Sequence, residues 1–501
     1  MSPGPVVPTS RLRLLNDRPA RPTGEFVLYW MTTARRTTFN FGLQRAVEWC
    51  VELRKPLVVL EALRCDYPEA SDRLHHFILQ GMADTRAALA RGPAFYYPYV
   101  EPARGDARGL IAALSRHACA IVTDWYPAGF VPRMLQAAAR QSEVLTEAVD
   151  SNGIIPLSTH GKVFPVARSY RAFMQRTLRD HLGEFPDERP LTPLRRLPRL
   201  SQLPAAIAKR WPPAPDAILA GDRTRLAVFP INHDIAPVAM AGGPRAAQRR
   251  LTTFVTRQAE CYADDHNHPD RDATSRMSPY LHFGHISAHQ IFSALVTHAR
   301  WTSRRLGGRA GGKREGWWGV SPSIEAYLDQ LLVWRELAFN TCEYLPDYDR
   351  WQTLPDWAKR TLEQHAGDPR PHRYTLTELE AADTADDVWN AAQRQLVAEG
   401  WFHGYLRMLW GKKIYEWSPS ATAALERMET LMNRYSLDGR DPNSYAGYMW
   451  VLGRYDRPWP ERPIFGTVRY MTSGSARRKL QMTAFLAKYG SASPIRRRER
   501  A

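Results

Sequence analysis

The pattern of apolar residues changes once along the chain, and this change constrains the fold more than any other feature. From residue 25 to about residue 155, short apolar runs alternate with amphipathic stretches. Because strand–helix alternation is typical of a doubly wound parallel sheet, this part predicts a Rossmann-like α/β domain. After about residue 250 the helical period dominates, which predicts an all-α domain. The predicted strands are residues 26–31, 56–63, 94–100 and 119–125.

The remaining segments differ in composition and complete the predicted domain organisation. Residues 1–24 have no periodic pattern and predict a flexible arm ahead of the α/β domain at 25–155. The proline-rich texture within residues 156–250 predicts an interdomain linker. Residues 251–480 form the predicted helical domain, and the basic segment 481–501 predicts a disordered tail.

Charge and cysteine content limit the partners and the compartment. The formal net charge is +17 at pH 7. Such an excess predicts a polyanionic partner, nucleic acid first, with a solvated basic surface as the alternative. No apolar run reaches the roughly 18 residues of a membrane span, and no signal-peptide core is found. Since the five cysteines form no CxxC pair, we expect a reducing compartment, hence a cytoplasmic protein without a membrane partner.

Two tryptophans lie seven residues apart in the stretch HGYLRMLWGKKIYEW. Trp410 and Trp417 fall on one face of the predicted helix, roughly 10 Å apart, and Trp389 lies upstream. A core stripe is the usual reason for such spacing; a chain of oxidisable indoles that relays an electron between a buried cofactor and the surface is the alternative, and the spacing alone does not separate the two.

Two further patterns in the chain bear on binding. Asp438 and Asp441 flank Gly439 and Arg440 in the segment LDGRDPN, which predicts a turn. Carboxylates beside such a turn can accept hydrogen bonds from sugar hydroxyls and from a nearby arginine, and a plain surface turn is the alternative. The glycine-rich stretch RRLGGRAGGKREGWWG (304–319) predicts a loop within the helical part. No GxGxxG or GxxxxGK[ST] motif occurs in the α/β part, so a conventional dinucleotide or P-loop site is not predicted there.

Several stretches together resemble class II cyclobutane pyrimidine dimer photolyases, and the resemblance covers most of residues 25–475. It implies an antenna-type α/β domain and a helical domain that holds FAD. It also implies a carbon–carbon lyase, in which light drives an electron from reduced flavin to a pyrimidine dimer flipped out of UV-damaged double-stranded DNA. The matching stretches are LYWM (28–31), SPYLHFGHIS (278–287), LLVWRELAFNTC (331–342), WNAAQ (389–393), HGYLRMLWGKKIYEWS (403–418) and LDGRDPNSYAG (437–447).

The resemblance assigns the three tryptophans to a photoreduction chain. It implies that Trp410 lies nearest the flavin, Trp389 next and Trp417 at the surface. Arg407 and Asp438 match a salt-bridged pair beside the flavin ring, where a fixed cation stabilises negative charge on the reduced flavin. A serine cluster at a helix start can supply donors to the FAD phosphates. The positions implied to bind FAD are Tyr262, Ser275, Met277, Ser278, Arg407, Asp438, Gly439 and Asp441.

The resemblance also implies a lesion pocket and a DNA surface. Trp334 and Trp450 match aromatic walls that stack on the flipped dimer, and Met408 lies against it. Arg457 and Arg469 match arginines at the DNA surface, where phosphate contacts position the duplex without reading its sequence. We expect the chain to act on DNA as a monomer.

Three positions depart from the family pattern. The family's glutamate four residues before the stacking tryptophan is Gln330 here, which cannot carry negative charge or act as an acid, so we expect slower or altered repair. The asparagine that faces flavin N5 becomes Met432 without a gap, or remains Asn433 with a one-residue deletion. The family's dimer-contacting arginine appears as His266, whose charge depends on pH.

These departures leave alternatives open. A cryptochrome-like photoreceptor without repair activity is favoured by Gln330 and by Met432 in the ungapped alternative, whereas Trp450, Arg457, Arg469 and the basic excess favour repair. Repair of a different lesion, such as the (6-4) photoproduct, is a further alternative. The segment TTARRTTFNFG after LYWM differs from the family, so a second, deazaflavin-type antenna chromophore stays open. Asp265, His266, His268 and Asp270 lie close in sequence, but loop residues of this kind are usually solvated, and we predict no metal.

Overall fold

Six strands form one sheet in the N-terminal part of the chain. The computed structural model describes residues 6–221 and 223–490. The strand order is β1-β6-β5-β2-β3-β4, with β1 antiparallel to β6 and the other neighbours parallel. The strands are β1 (Leu12–Leu14), β2 (Phe26–Met31), β3 (Leu57–Leu63), β4 (Phe95–Val100), β5 (Ala118–Trp125) and β6 (Thr146–Asp150).

The four strands predicted from apolar runs, β2 to β5, are confirmed to within one residue at each end. Every residue of β2 and β5 is buried, as expected for parallel strands covered by helices on both faces. Strand β6 was not predicted because its sequence, TEAVD, has no apolar run. Glu147 is buried there because Arg45 Nε and Trp49 Nε1 donate to its Oε1 at 2.7 and 2.6 Å. Arg45 and Trp49 lie 102 and 98 residues before Glu147, so the local sequence does not indicate that Glu147 is buried.

Helices cover the sheet and make up most of the remaining chain. The predicted fold class, an α/β domain followed by a helical domain, is confirmed. Within the described ranges, every helix falls short of the length or the apolarity that crossing a bilayer requires. The helices are α1 (Phe41–Leu53), α2 (Asp72–Leu89), α3 (Leu110–Ser115), α4 (Val131–Gln141), α5 (Ala167–His181), α6 (Ala205–Arg210), α7 (Asp216–Leu219), α8 (Arg223–Leu226), α9 (Pro244–Arg257), α10 (Tyr262–Asp265), α11 (Ser278–His282), α12 (Ala288–His298), α13 (Pro322–Asp329), α14 (Arg335–Tyr344), α15 (Asp356–Gln364), α16 (Leu376–Ala381), α17 (Asp387–Glu399), α18 (Gly404–Trp417), α19 (Ala421–Tyr435), α20 (Pro442–Val451), α21 (Ser473–Lys479) and α22 (Thr483–Tyr489).

The expectation of a flexible arm at residues 1–24 is wrong for its second half, because β1 pairs with β6. Arg11, which is only 1% exposed, anchors the segment before β1. Its guanidinium donates to the carbonyl oxygens of Asp150, Gly153 and Ile154 at 3.2, 3.1 and 2.7 Å. Residues 1–5 lie outside the described residues.

The segment predicted as a linker and the segment predicted as a tail both contain ordered structure. Helix α5, within residues 156–250, buries Tyr170, Met174 and Leu178 in the apolar core. The proline-rich part also packs, since Trp211 is 4% exposed and donates from Nε1 to Asp106 O at 2.7 Å. The prediction of a disordered tail at residues 481–501 is wrong for its first part, because helix α22 lies there. Residues 491–501 lie outside the described residues.

The carboxyl ends of the parallel strands face the helical part of the chain. Asp124, near the end of β5, fixes the turn after β2 by accepting from the backbone N–H groups of Thr32, Thr33 and Ala34 at 2.8, 2.8 and 2.9 Å. Arg36 then reaches across to donate to Gly284 O at 3.0 Å. A cavity of about 480 Å³ lies at this junction. The edge of the sheet where α/β folds bind ligands is therefore closed over by helices.

Candidate active site

Helices α17 and α18 bring the three tryptophans into one line of contact. The rings of Trp389 and Trp410 are stacked, with centroids 6.4 Å apart and planes inclined by 4°. Trp417 meets Trp389 edge-on, with centroids 5.4 Å apart. Trp389 Nε1 donates to Trp410 O at 3.0 Å, which fixes the stack. The order along the line, Trp410 then Trp389 then Trp417, is the order that the resemblance implies.

The expectation that Trp417 lies at the surface is wrong, because its side chain is 2% exposed. Tyr374 covers it edge-on, with ring centroids 5.0 Å apart. Tyr374 in turn stacks on the exposed His372 at 5.8 Å. The aromatic line thus needs one more ring to reach solvent. Sequence reasoning missed Tyr374, since it lies in an irregular segment with no pattern to mark it.

An ion pair with a buried carboxylate and a partly exposed guanidinium lies between α18 and the turn after α19. Arg407 Nη2 donates to both carboxylate oxygens of Asp438 at 3.1 and 3.0 Å, and Ser436 Oγ donates to Oδ1 at 2.5 Å. Burial would raise the pKa of Asp438, but the charge of Arg407 and hydrogen bonds from Ser278 and Ser436 outweigh it and hold this pKa below its ordinary value. The carboxylate is therefore ionised, and the fixed cation beside it is available to stabilise an anionic ring.

Gly439 lets the turn that carries Asp438 pack directly on the end of α19. A Cβ at this position would lie 2.4 Å from Met432 O and 2.8 Å from Asn433 Cα. Real side chains never approach backbone atoms so closely, so glycine is required here for packing. The close contact fixes the position of Asp438 relative to α19.

Met432 and Asn433, the two alternatives for the position facing flavin N5, have different surroundings. Met432 is 3% exposed and belongs to the same apolar cluster as Trp389 and Trp410. Asn433 lines the 480 Å³ cavity together with Arg440, and its Oδ1 has no hydrogen-bond partner among the described residues. Met432 therefore lies in the apolar core, whereas Asn433 faces the cavity.

The residues implied to bind the FAD phosphates and sugar lie around the start of α11. Ser275 Oγ accepts from the N–H of Met277 at 3.3 Å, and Ser278 hydrogen-bonds to Asp438. The turn before α11 is thereby joined to the Arg407–Asp438 pair. The ring of Tyr262, only 8% exposed, packs nearby against α9 and α13.

Buried polar atoms without partners test whether the site fits a polar cofactor. His403 is 3% exposed, and within the described residues both of its ring nitrogens lack a hydrogen-bond partner; Arg276 Nε and Gln393 Nε2 lack one as well. Burial lowers the pKa of His403 to about 4, and the charges of His266 and Arg276 contribute, so this imidazole is neutral at pH 7. Buried polar groups are normally satisfied. These unpartnered nitrogen atoms of His403, Arg276 and Gln393 therefore fit the diphosphate and hydroxyl groups of FAD.

Sequence reasoning missed these three residues, although each has a local signal. His403 and Gln393 lie inside the stretches that carry the resemblance, and Arg276 lies between the implied residues Ser275 and Met277. Gln393 Oε1 accepts from Trp410 Nε1 at 2.9 Å, which connects the first indole to the same group.

Asp441, implied to bind FAD, is engaged by the chain itself. Its Oδ1 caps α20 by accepting from the N–H of Asn443 at 2.9 Å. Its Oδ2 accepts from Tyr126 OH at 3.2 Å and lies 3.4 Å from His282 Nδ1. Asp441 therefore links the end of β5 to the helical part.

Trp334 and Trp450 are brought together by an irregular helix. One π-helical turn, Gln330–Trp334, lies between α13 and α14, and such turns often mark functional sites. The rings of Trp334 and Trp450 stack on each other, with centroids 4.6 Å apart and planes inclined by 14°. Gln330, Trp334, Trp450 and Met408 are all half-buried. The fold thus brings together two of the residues implied to contact the lesion, Trp334 and Trp450.

His266 stacks on Tyr262, with ring centroids 4.5 Å apart, and its Nδ1 lies 2.6 Å from Tyr262 O. His268 Nδ1 accepts from the N–H of Gln481 at 3.0 Å, and Asp270 accepts from backbone N–H groups at the start of α22. Across the described ranges, no three side chains of His, Cys, Asp or Glu are arranged to hold a metal ion.

The segment after α20 exposes aromatic and basic side chains together. Arg469 lies over the ring of Trp459 at 5.1 Å, and Arg462 lies over Tyr470 at 4.0 Å. Trp459 and Tyr470 are large apolar side chains that are 39% and 36% exposed. Exposed rings paired with arginines are typical of surfaces that stack on nucleic-acid bases. Trp459 was missed in the sequence, although the segment RPWPERP shows a tryptophan between basic residues.

The cavity at the junction of the two parts is lined by basic and aromatic side chains. Its volume of about 480 Å³ is within the range of small-molecule sites. The lining includes Arg35, Arg64, Arg133, Arg350 and Arg440, and the rings of Trp30, Tyr67, Phe130 and Tyr348.

The sheet, the helical region and the buried indole line define the photolyase type of fold. A solved structure of a bacterial class III photolyase from Agrobacterium tumefaciens superposes with a TM-score of 0.62, covering 93% of this chain and 86% of that one at 16% identity. No protein-family model matches the chain.

Curated relatives carry the identification further. The deoxyribodipyrimidine photo-lyase of Methanothermobacter thermautotrophicus is 33% identical over 96% of this chain and 98% of its own length. The enzymes of the same name from rice and from Potorous tridactylus are 33% and 30% identical over 97% and 96% of this chain, and 92% and 85% of their own lengths. The chain therefore belongs to the deoxyribodipyrimidine photo-lyase family, and the resemblance and the enzyme class inferred from the motifs are confirmed.

Proposed function

We propose that this chain repairs cyclobutane pyrimidine dimers in UV-damaged double-stranded DNA, with bound FAD and light. When bound, FAD would supply the electron that splits the dimer. The chain would hold the cofactor through the buried polar atoms of His403, Arg276 and Gln393, and would receive the flipped lesion beside Trp334 and Trp450. Relatives named for this activity match nearly the whole chain, which supports the proposal.

The observation that carries the proposal is the line of stacked indoles next to the Arg407–Asp438 pair. Three buried indoles in sequential contact are compatible with an ordinary apolar core. An apolar core does not require the ion pair of Arg407 and Asp438, and Arg407 lies three residues before Trp410 on α18. Removing Arg407 would leave the buried charge of Asp438 uncompensated. An electron path that begins beside a fixed cation accounts for both features. We propose that the path leaves Trp417 through Tyr374.

The proposal is tested by assaying repair directly. The purified chain, loaded with FAD and chemically reduced, is illuminated with a duplex that contains one thymine dimer, and restored thymines are measured against a dark control. Light-dependent loss of the dimer is the expected result. If flavin binds but no dimer is lost under any illumination, the repair function is refuted.

A photoreceptor without repair is the second candidate, because Gln330 replaces the residue that the family uses at the lesion, and Met432, in the ungapped alternative, replaces the one it uses at the flavin. Met432 is buried, with 3% of its surface exposed. A thioether is a weak acceptor, whereas an amide can satisfy a protonated N5. Photoreduction of bound flavin without repair of either the cyclobutane dimer or the (6-4) photoproduct would support this candidate.

We further propose that the 480 Å³ cavity holds a second, deazaflavin-type chromophore. Flat rings can pack on its aromatic lining, and its arginines suit an anionic tail. The unpartnered Asn433 Oδ1 is an acceptor for a ligand hydroxyl. The test is whether the chain retains an added deazaflavin through gel filtration and whether Arg440→Leu abolishes retention while FAD content stays unchanged.

We also propose that the chain works as a monomer in the cytoplasm. The five cysteines are all free thiols, and four of them are buried, which supports a reducing compartment. Light scattering of the purified chain, with and without duplex DNA, tests the monomer.

A further inference from the structure

The glycine-rich loop at residues 304–316 carries basic side chains that the proposed site does not use. All five are exposed. Among the described residues, no carboxylate pairs with any of them. A cluster of unpaired cations on one loop attracts a polyanion. The five side chains are those of Arg304, Arg305, Arg309, Lys313 and Arg314.

The backbone of this loop is anchored to α5. The N–H of Gly312 donates to Gln175 Oε1 at 2.8 Å, and Gln175 Nε2 donates back to Lys313 O at 2.9 Å. Arg179 Nη2 donates to Leu306 O at 3.0 Å. A Cβ on Gly312 would lie 2.6 Å from Arg168 O, so glycine permits this close approach.

The other end of the loop is anchored to α13. Glu325, which is 5% exposed, accepts from the N–H groups of Gly316 and Trp317 at 2.6 and 2.8 Å. With both ends of the loop pinned, the cations project from a fixed backbone. They therefore lose less conformational freedom when a partner binds.

The loop lies next to the proposed lesion site. Helix α13 begins at Pro322, eight residues after Arg314. It runs into the π-helical turn that contains Gln330 and Trp334. At about 1.5 Å per residue, Pro322 and Trp334 are about 18 Å apart. The charge of Arg314 also acts on His266, where burial and this charge both lower the histidine pKa. The loop therefore borders the face that contains Trp334 and His266.

We propose that the loop of residues 304–316 binds the DNA backbone on one side of the lesion and extends the DNA surface beyond Arg457 and Arg469. This inference rests on the proposed repair function. Since phosphates along one strand of B-DNA repeat every 3.4 Å or so, the length of about 18 Å from the start of α13 to Trp334 corresponds to about five nucleotides. The loop contacts phosphates only, so its effect is independent of sequence.

The test is the salt dependence of binding in a triple variant of the full chain, Arg309→Gln, Lys313→Gln and Arg314→Gln. Each lost phosphate contact lowers the slope of log affinity against log salt by about 0.9. Losing three contacts lowers the slope by about 2.7. When the salt concentration is raised fourfold, the affinity of the wild type is therefore expected to fall by about 40-fold more than that of the variant. The probe is a long duplex with one central thymine dimer, followed by fluorescence anisotropy.

A matched control removes the same charge elsewhere. Arg195, Arg196 and Arg199 are exposed in the proline-rich segment, and the triple Gln variant of these residues is expected to keep the wild-type slope. On an eight-nucleotide strand with a central dimer, which cannot reach the loop, wild type and loop variant are expected to bind equally.

The possible failures are distinguishable. If the wild type binds and repairs dimer DNA but the loop variant keeps the wild-type slope, or the control variant loses as much, the loop proposal is overturned and the repair function stands. If the wild type shows neither preferential binding nor repair, the proposed function itself falls. Should the triple variant not fold, as judged by circular dichroism, the single variant Arg309→Gln must still lower the slope by about 0.9.

Discussion

One buried side chain, Lys412, connects the helix of the indoles to the helix of Trp450. Lys412 is 1% exposed, and its Nζ donates to Val451 O, the last residue of α20, at 2.5 Å. Carbonyl groups at a helix C-terminus lack intrahelical partners and carry negative partial charge, so a lysine is well suited there. Burial lowers the pKa of Lys412 to about 7, with the charge of Asp456 opposing it.

Lys412 gives a prediction about pH. Its pKa in the unfolded chain is the ordinary 10.5, so between about pH 7 and 10.5 the unfolded chain holds a proton that the folded chain has lost. The free energy of unfolding therefore rises with pH in this window, by at most about 1.4 kcal/mol per pH unit from this group. Lys412→Met removes the rise. Chemical denaturation at several pH values measures the difference between variant and wild type.

The control for that prediction is Lys413→Met, which deletes a neighbouring ammonium that pairs with Glu416 and Asp386. Its stability is expected to change by a similar amount at each pH. A Lys412 variant whose stability difference from wild type stays constant from pH 6 to 9 contradicts the role assigned to this lysine.

Gln330 gives a prediction about repair. Gln330→Glu restores a carboxyl group in the π-helical turn, four residues before Trp334. A hydrogen bond to a charged group is stronger than one to a neutral group by about 1 kcal/mol, which corresponds to about fivefold in rate. Dimer repair per absorbed photon is expected to rise by less than this factor, because the yield depends on how the splitting step competes with the loss of the electron. The control is Gln352→Glu, an exposed site with the same charge change; equal effects of both variants would rule out a specific role.

Residues could be assigned from sequence where a motif surrounds them. Arg407 and Asp438 pair as expected, and the three indoles meet in the expected order. Tyr374 was not predictable, because it reaches Trp417 only through tertiary packing. The exposure of Trp417 was misjudged for the same reason.

At the scale of elements, the turn after α19 is under a close packing constraint. Gly439→Ala would bring a methyl group against backbone atoms of Met432 and Asn433, which cannot move as a side chain can. We expect a loss of about 1–3 kcal/mol in the free energy of unfolding and weaker FAD retention, because the turn carries Asp438. Thermal unfolding and flavin content after gel filtration are the measurements.

The matched control is Gly447→Ala in α20, where a Cβ meets no atom within 4 Å. Alanine is favoured over glycine in a helix, so this variant is expected to gain about 0.5–1 kcal/mol. If both alanine variants change stability in the same direction, the packing argument for Gly439 does not hold.

Strands could be predicted from the sequence where they contain a run of apolar residues. Strands β2 to β5 follow from their apolar runs, whereas β6 depends on Arg45 and Trp49 to bury Glu147. Strand β1 exists because Arg11 finds three carbonyl groups that the sequence does not place near it. The π-helical turn at Gln330–Trp334 has no local sequence signal that distinguishes it from an α-helix.

At the scale of the whole molecule, two sites lie on either side of the helical region. The cavity of about 480 Å³ faces the sheet, and the buried polar group of His403, Arg276 and Gln393 lies with the indoles. Asn433 and Met432, adjacent on α19, border the cavity and the indole cluster respectively. Helix α19 thus presents Asn433 to the cavity and Met432 to the apolar core.

The central claim is that the chain binds a flavin that the three indoles connect to solvent, and photoreduction in the variant Trp410→Phe tests it most directly. Phenylalanine keeps an aromatic ring at this buried position, although it is smaller and lacks the N–H that donates to Gln393. It is not oxidised under these conditions, so the path is broken at its first ring. Steady illumination of FAD-loaded protein with an external reductant is followed by flavin absorbance, with Trp351→Phe, outside the line, as the control. The account predicts at least tenfold slower photoreduction for Trp410→Phe, wild-type rates for the control, and unchanged repair by chemically reduced Trp410→Phe. Wild-type photoreduction in Trp410→Phe, or a chain that takes up no flavin, would contradict it.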